Sequence, residues 1–244
     1  MLTNYISSAQ EKLERLKNEQ PENFSGLGEK LADAIDNGGI IHIFGAGHSH
    51  ILAEEVFYRA GGLVPVSPIL HEPLMLHEGA LRSSDFERKN DYADTFMEQA
   101  DIRPEDVLIV SSTSGRNPVP VDAALYAKNK GAYVVGITSL VYSASQSSRH
   151  QDGYKLTDVV DTAIDNYSEA GDAALTHPDV DVPFGPTSTL IGVAIMQSLM
   201  AETIRALAVR GETAPVLKSG NIDGADERNR QLIEAYKERI PLLR

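Results

Sequence analysis

Apolar side chains return along this chain in two rhythms. Ile6, Leu13 and Leu16 recur at helical spacing, which predicts a polar helix over 4–18; a second helix over 24–35 ends at Asn37-Gly38-Gly39. The pattern then changes to short, mostly apolar runs at 40–44, 63–66, 107–110 and 133–137. Such runs are too short for helices and read as strands buried on both faces of a parallel sheet. Helical patterns follow at 49–60, 91–100 and 121–130, and Asp158-Val-Val-Asp161 reads as an edge strand. Between Ser67 and Asn90 there is little periodicity. A loop with Pro178, Pro183 and Pro186 precedes a long apolar helix over 187–209, and a final helix runs to about 239. That apolar helix is interrupted by Gln197, Ser198 and Glu202, so it is expected in a core or a subunit interface and not in a membrane. Strands alternating with helices predict an α/β, three-layer αβα sandwich with a mostly parallel, doubly wound sheet, in one domain over 1–244.

Two of the strand-to-helix joints carry unusual chemistry. The run over 107–110 ends in Ser111-Ser112-Thr113-Ser114-Gly115-Arg116-Asn117-Pro118. Here hydroxyl donors meet a glycine that admits close backbone approach, and Asn117-Pro118 suits the start of a helix. A helix N-terminus behind hydroxyls is a cradle for an anion, and a phosphate fits it. The first joint, Gly45-Ala46-Gly47-His48-Ser49, has the same placement. It matches the opening of a dinucleotide fingerprint, but His50 stands where the third glycine belongs, and Ser67-Pro68-Ile69 offers no carboxylate for a ribose. No nicotinamide cofactor is expected.

Composition narrows the ligand. The 244 residues carry a formal charge of −13 and no cysteine. The charge opposes nucleic acid and anionic membranes, so an anionic substrate must be held by directed N–H and O–H groups and a few arginines. The missing thiols remove disulfides, a cysteine nucleophile and thiolate metal sites. No run reaches membrane-spanning length and the N-terminus lacks a signal-peptide layout, so a cytoplasmic protein is expected. The pairs His71-Glu72 and His77-Glu78 lack a standard ligand spacing, and no metal is assigned.

With Gly45-Ala-Gly-His-Ser49 and Ser112-Thr-Ser-Gly-Arg-Asn-Pro118 in this order, the stretch from about 31 to 209 resembles the SIS, or sugar isomerase, domain family, which binds phosphosugars. Among its members the chain is most similar to phosphoheptose isomerases, N-acetylmuramic acid 6-phosphate etherases and uncharacterised bacterial phosphosugar-binding proteins. The resemblance implies that Ser112, Thr113, Ser114 and Asn117 hold a phosphate, with Gly47, Gly115 and Arg116 in the same loops and Ser49 near the sugar. It also implies a homodimer or homotetramer and no organic cofactor. Where phosphoheptose isomerases carry a histidine and, a turn later, a glutamate, this chain has Glu55 and Arg59; the two catalytic glutamates of the etherases fall on Arg59 and Leu81. An aldose–ketose isomerase needs a base and a group that polarises the carbonyl. Glu55 is the first base candidate and Glu78 the second, with His48, His50 or His77 as proton shuttles. The alternatives are a non-catalytic phosphosugar sensor and a 6-phosphosugar lyase or etherase.

Overall fold

The computed structural model describes residues 1–244. Two N-terminal helices, α1 (Leu2–Glu19) and α2 (Pro21–Asp36), precede strand β1 (Ile41–Gly45). A 3-10 turn over Gly47–His50 leads into the short helix α3 (Ile51–Val56) and strand β2 (Val66–Ile69). Then come α4 (Ala80–Glu87), α5 (Asp94–Met97), β3 (Val107–Ser111), α6 (Pro118–Asn129) and β4 (Tyr133–Thr138). The chain continues through α7 (Leu140–Ser145), α8 (Leu156–Val159) and β5 (Thr162–Asp165). A hairpin of β6 (Leu175–His177) and β7 (Val180–Phe184), then α9 (Ser188–Val209) and α10 (Ala225–Tyr236), complete it.

The five central strands lie in the order β2-β1-β3-β4-β5, and every pair is parallel. Both faces of the sheet are covered, and the strands show it in their alternation. Ile41, Ile43, Val107, Ile109, Val135 and Ile137 enter one apolar core with α2, α3 and α9. Phe44, Leu108, Val110 and Val134 enter the other with α5, α6 and α8. The expected three-layer α/β arrangement is therefore present. Helix α9 is long and apolar enough to cross a membrane by length and composition. Its side chains, among them Ile191, Ile195, Met196 and Leu199, are instead buried within the chain's own core, against α2 and α3.

Several elements differ from the sequence expectation, each for a local reason. The edge strand expected at 158–161 is half taken up by helix α8, which ends at Val159, because Asp158 turns back to accept from the backbone N–H of Lys155 at 2.8 Å; the strand starts at Thr162, in register with Val135. The strand expected at 63–66 pairs later, as Val66–Ile69, while Leu63 forms an isolated bridge with Val216. Pro68 is tolerated there because β2 is the sheet edge. The helix expected over 49–60 ends at Val56, where Phe57 turns extended and Tyr58 takes a left-handed φ of 47°. The aperiodic segment 67–90 contains α4, and the proline-rich loop is the hairpin of β6 and β7, paired apart from the main sheet.

Candidate functional site

In the order 2-1-3-4-5 the chain leaves β1 toward one side of the sheet and β3 toward the other. The loops after these two strands therefore diverge and leave a crevice at the carboxyl edge. Gly45 and Ser111 are register partners at the ends of β1 and β3, so both glycine-serine loops leave the sheet side by side.

The first loop is set by contacts that need glycine. A Cβ on Gly45 would stand 2.5 Å from the backbone carbon and oxygen of Ser49. Gly47 takes φ +57°, and its carbonyl accepts from His50 Nδ1. His50 is thereby turned inward and buried, while His48 is exposed and Ser49 half-buried.

In the second loop the backbone is polarised. The Thr113 carbonyl accepts from Ser139 N at 2.9 Å and Thr138 Oγ1 at 3.2 Å. The Gly115 carbonyl accepts from Leu156 N at 2.8 Å, and the Arg116 carbonyl from Arg149 N at 2.9 Å. With these carbonyls committed to the protein, the N–H groups of Thr113, Ser114, Gly115, Arg116 and Asn117 have no acceptor within the chain. Gly115, at φ +59°, supplies the left-handed residue that lets successive N–H groups converge. Its missing side chain matters as well, since a Cβ would approach Thr138 Oγ1 to 3.0 Å. Helix α6 contributes less than its position suggests, because Pro118 and Pro120 remove two N–H groups from its first turn. Donors in the cradle thus come from the loop backbone and from the hydroxyls of Ser112, Thr113 and Ser114. Thr113 Oγ1 lies 3.4 Å from Asn166 Nδ2, which fixes its orientation.

The remaining candidates are distributed around this cradle. Arg116 donates to Gln146 Oε1 at 3.0 Å and Ser147 Oγ at 3.3 Å. Asn117 does not cap α6 with its side chain; its Oδ1 accepts from Arg149 Nη1 at 2.9 Å. Glu55 is held on the α9 side, 2.7 Å from Arg59 and accepting from Gln197 Nε2 at 3.1 Å. Glu78 and its neighbour His77 are exposed, in a 3-10 turn whose Leu76 reaches toward Gly47. The structure thus brings Gly47, His48, Ser49 and the segment of Glu78 to the rim of the first loop. It holds Glu55 in contacts of its own.

Four further residues belong to the neighbourhood, and none stood out in the sequence. Thr138 and Asn166, at the ends of β4 and β5, brace Thr113. Asn166 was hidden because β5 begins later than its apolar pattern suggests. Arg149 sits in the polar stretch 143–151, which has no periodicity to place it. Glu87, at the end of α4, is half-buried near Asn117, Arg88 and Arg149. Burial pushes its carboxyl up despite the Asn117 amide and the arginines. For Arg149, burial and the cations of Arg116 and Arg88 lower the guanidinium below its usual range.

Comparison with known proteins agrees with this fold. The family model described as the SIS domain matches residues 4–139. A UPF0309 protein of Halalkalibacterium halodurans is 56% identical over 243 residues, covering 100% of this chain and 97% of its own. Another from Geobacillus kaustophilus is 58% identical, with coverage of 100% and 97%. The solved phosphoheptose isomerase of Neisseria gonorrhoeae shares the fold at a TM-score of 0.53 and 15% identity, covering 82% of this chain and 95% of that one. That of Francisella tularensis does so at 0.53 and 16%, covering 84% and 96%. The chain belongs to the SIS domain family, among its UPF0309 members.

Proposed function

We propose that this protein binds a phosphorylated sugar in the crevice between the loops after β1 and β3, and that it interconverts the aldose and ketose forms of that sugar. The observation that carries the binding is the row of backbone N–H groups from Thr113 to Asn117, which no protein acceptor claims. Such a row, with adjoining serine hydroxyls, complements the oxygens of a phosphate monoester. Ser112, Thr113 and Ser114 donate to the phosphate, and Gly115 keeps the backbone close to it. Gly47 and Ser49 flank the sugar. Membership of the SIS family, and a fold shared with proteins named phosphoheptose isomerases, support the assignment.

For the reaction, a base must reach a proton on the carbon beside the carbonyl. Glu55 Oε1 is both ion-paired to Arg59 and hydrogen-bonded by Gln197, which lowers the basicity of that carboxylate. In this reading Glu78, on the segment that Leu76 brings to Gly47, is the base, with His48 as the proton shuttle. The competing reading, a phosphosugar sensor without turnover, draws on the same observation that favours Glu78 for access. Its side chain is 41% exposed, and a base so wet is poorly matched to proton abstraction from carbon.

One experiment separates these outcomes: the protein is incubated with hexose, heptose, pentose and amino-sugar phosphates in deuterated water, and the C1 and C2 protons are followed by NMR. Exchange that persists in Glu55→Gln and disappears in Glu78→Gln is the expected result. Binding without exchange establishes the sensor. Equal calorimetric affinity for a sugar with and without its phosphate overturns the phosphate site itself.

A further inference from the structure

The arginines of this acidic chain are mostly neutralised by carboxylates. Arg210 alone meets Glu29, Asp33 and Asp36, and Arg239 meets Asp106. Arg116 and Arg149 differ. Their hydrogen-bond acceptors are neutral: Gln146 and Ser147 for Arg116, and Asn117 for Arg149. They are also pinned to each other through the backbone, since Arg149 N donates to the Arg116 carbonyl at 2.9 Å. Arg116 Nε is buried and has no partner at all. The guanidinium groups of Arg116 and Arg88 both act on that of Arg149 through space. The one acidic group among them, Glu87, acts on Arg88 and Arg149 through space without closing a salt bridge, and a single carboxylate offsets only part of three cations. Like charges brought together with only partial compensation repel, and the arrangement is relieved when a further anion enters.

Arg116 directly follows Gly115 in the cradle, so such an anion would lie against the phosphate-binding loop and belong to the same ligand. We infer that Arg116 and Arg149 form a second anion subsite next to the phosphate cradle, and that the ligand is a phosphosugar bearing a second acidic group, either a carboxylate or another phosphate. This inference rests on the proposed phosphate site. Guanidinium groups suit both chemistries, because their planar N–H forks pair bidentately with carboxylate or phosphate oxygens. Arg116 would release Gln146 and Ser147 to turn toward the ligand. Arg149, exposed on the segment after α7, would keep Asn117 in place with one nitrogen and offer the others.

The test compares three probes on the native full chain by calorimetry: a hexose 6-phosphate, the corresponding 6-phosphoaldonate, and a hexose 1,6-bisphosphate. At least one doubly anionic probe is expected to bind about tenfold more tightly than the monophosphate. Which of the two does so distinguishes carboxylate from phosphate. Arg149→Gln and, separately, Arg116→Gln should remove that advantage, so that each variant binds the doubly anionic probes no more tightly than it binds the monophosphate. Ser112→Ala with Ser114→Ala should weaken all three. If the native chain binds the monophosphate as tightly as both doubly anionic probes, the second subsite is overturned and the phosphate site stands. If none of the phosphorylated probes binds better than its unphosphorylated sugar or sugar acid, the phosphate site fails and the second subsite fails with it.

Discussion

Strands β1 and β3 lie side by side through the centre of the sheet, and their two ends treat polar groups in opposite ways. At the amino end, Asp106 is buried just before β3 and its carboxylate is saturated. It accepts from Ile40 N at 2.7 Å, Arg103 N at 2.8 Å and Arg239 Nη2 at 2.8 Å, with His42 Nε2 at 3.3 Å. At the carboxyl end, five consecutive N–H groups and the hydroxyls beside them are left open. A saturated buried charge has no capacity for a ligand, and removing one partner leaves another uncompensated. Open donors at a solvent-reachable edge cost little while water serves them, and they can be handed to a substrate. One end of the same pair of strands therefore holds the fold together, including the C-terminal tail through Arg239, and the other end is available for binding.

The sharpest way to break this contrast is at Asp106. Asp106→Asn leaves Arg239 and His42 facing a neutral amide that accepts with one oxygen, and it should destabilise the fold by about 3–5 kcal/mol. Urea denaturation measures the loss, and phosphosugar affinity per folded molecule should stay unchanged. A loss under about 1 kcal/mol would show that the amino end is not the anchor.

The same carboxylate sets a pH dependence. Burial alone would raise its pKa, but hydrogen bonds from His42, Arg239 and the backbone of Ile40 and Arg103 hold it well below the usual carboxylate range. A depressed folded pKa stabilises the native state fully above the unfolded value near about 4, and that contribution is lost as pH falls toward the folded pKa. The stability gap between the native chain and Asp106→Asn should therefore be constant from neutral pH to about 5 and close on further acidification. A gap that widens in acid would reverse the sign and discard the mechanism.

At the carboxyl end the expected pattern is the converse. Hydrogen bonds to a charged group are each worth about 1.5–3 kcal/mol, so Ser112→Ala with Ser114→Ala should weaken a phosphosugar more than about tenfold. The melting temperature should barely move, because these hydroxyls hold no other part of the chain. A large drop in stability with intact affinity would mean that the cradle is a structural turn.

The smallest effect belongs to Glu55→Gln. The amide can still accept from Gln197, and the lost pairing with Arg59 lies near the surface, where such a pair contributes about 0–1 kcal/mol. Phosphosugar affinity should remain within a few fold by calorimetry. A collapse of binding would return Glu55 to the site.

The sequence by itself determined the layering of this protein and the position of its two glycine-serine loops. Unbroken apolar runs such as 107–110 can be buried only on both faces, which demands helices above and below a parallel sheet, and a hydroxyl run ending in Gly115 and Asn117-Pro118 marks its strand-to-helix joint locally. Other features are local as well but were ambiguous: Asp158-Val-Val-Asp161 suits a strand by composition, and only the capping contact from Asp158 to Lys155 N settled it as a helix turn. What the tertiary structure alone decided is which groups meet. Asn166 braces Thr113 from 53 residues away, Arg149 engages Asn117 from 32, and Arg239 closes on Asp106 from 133. Glu55 was legible as a carboxylate on the right helix, but its orientation toward Gln197 depends on how α9 packs, 142 residues later. Periodicity encodes what a residue must be buried against, and it carries no information about partners brought together by crossing the sheet. The stabilising carboxylate and the paired arginines became visible only when the strands were placed side by side.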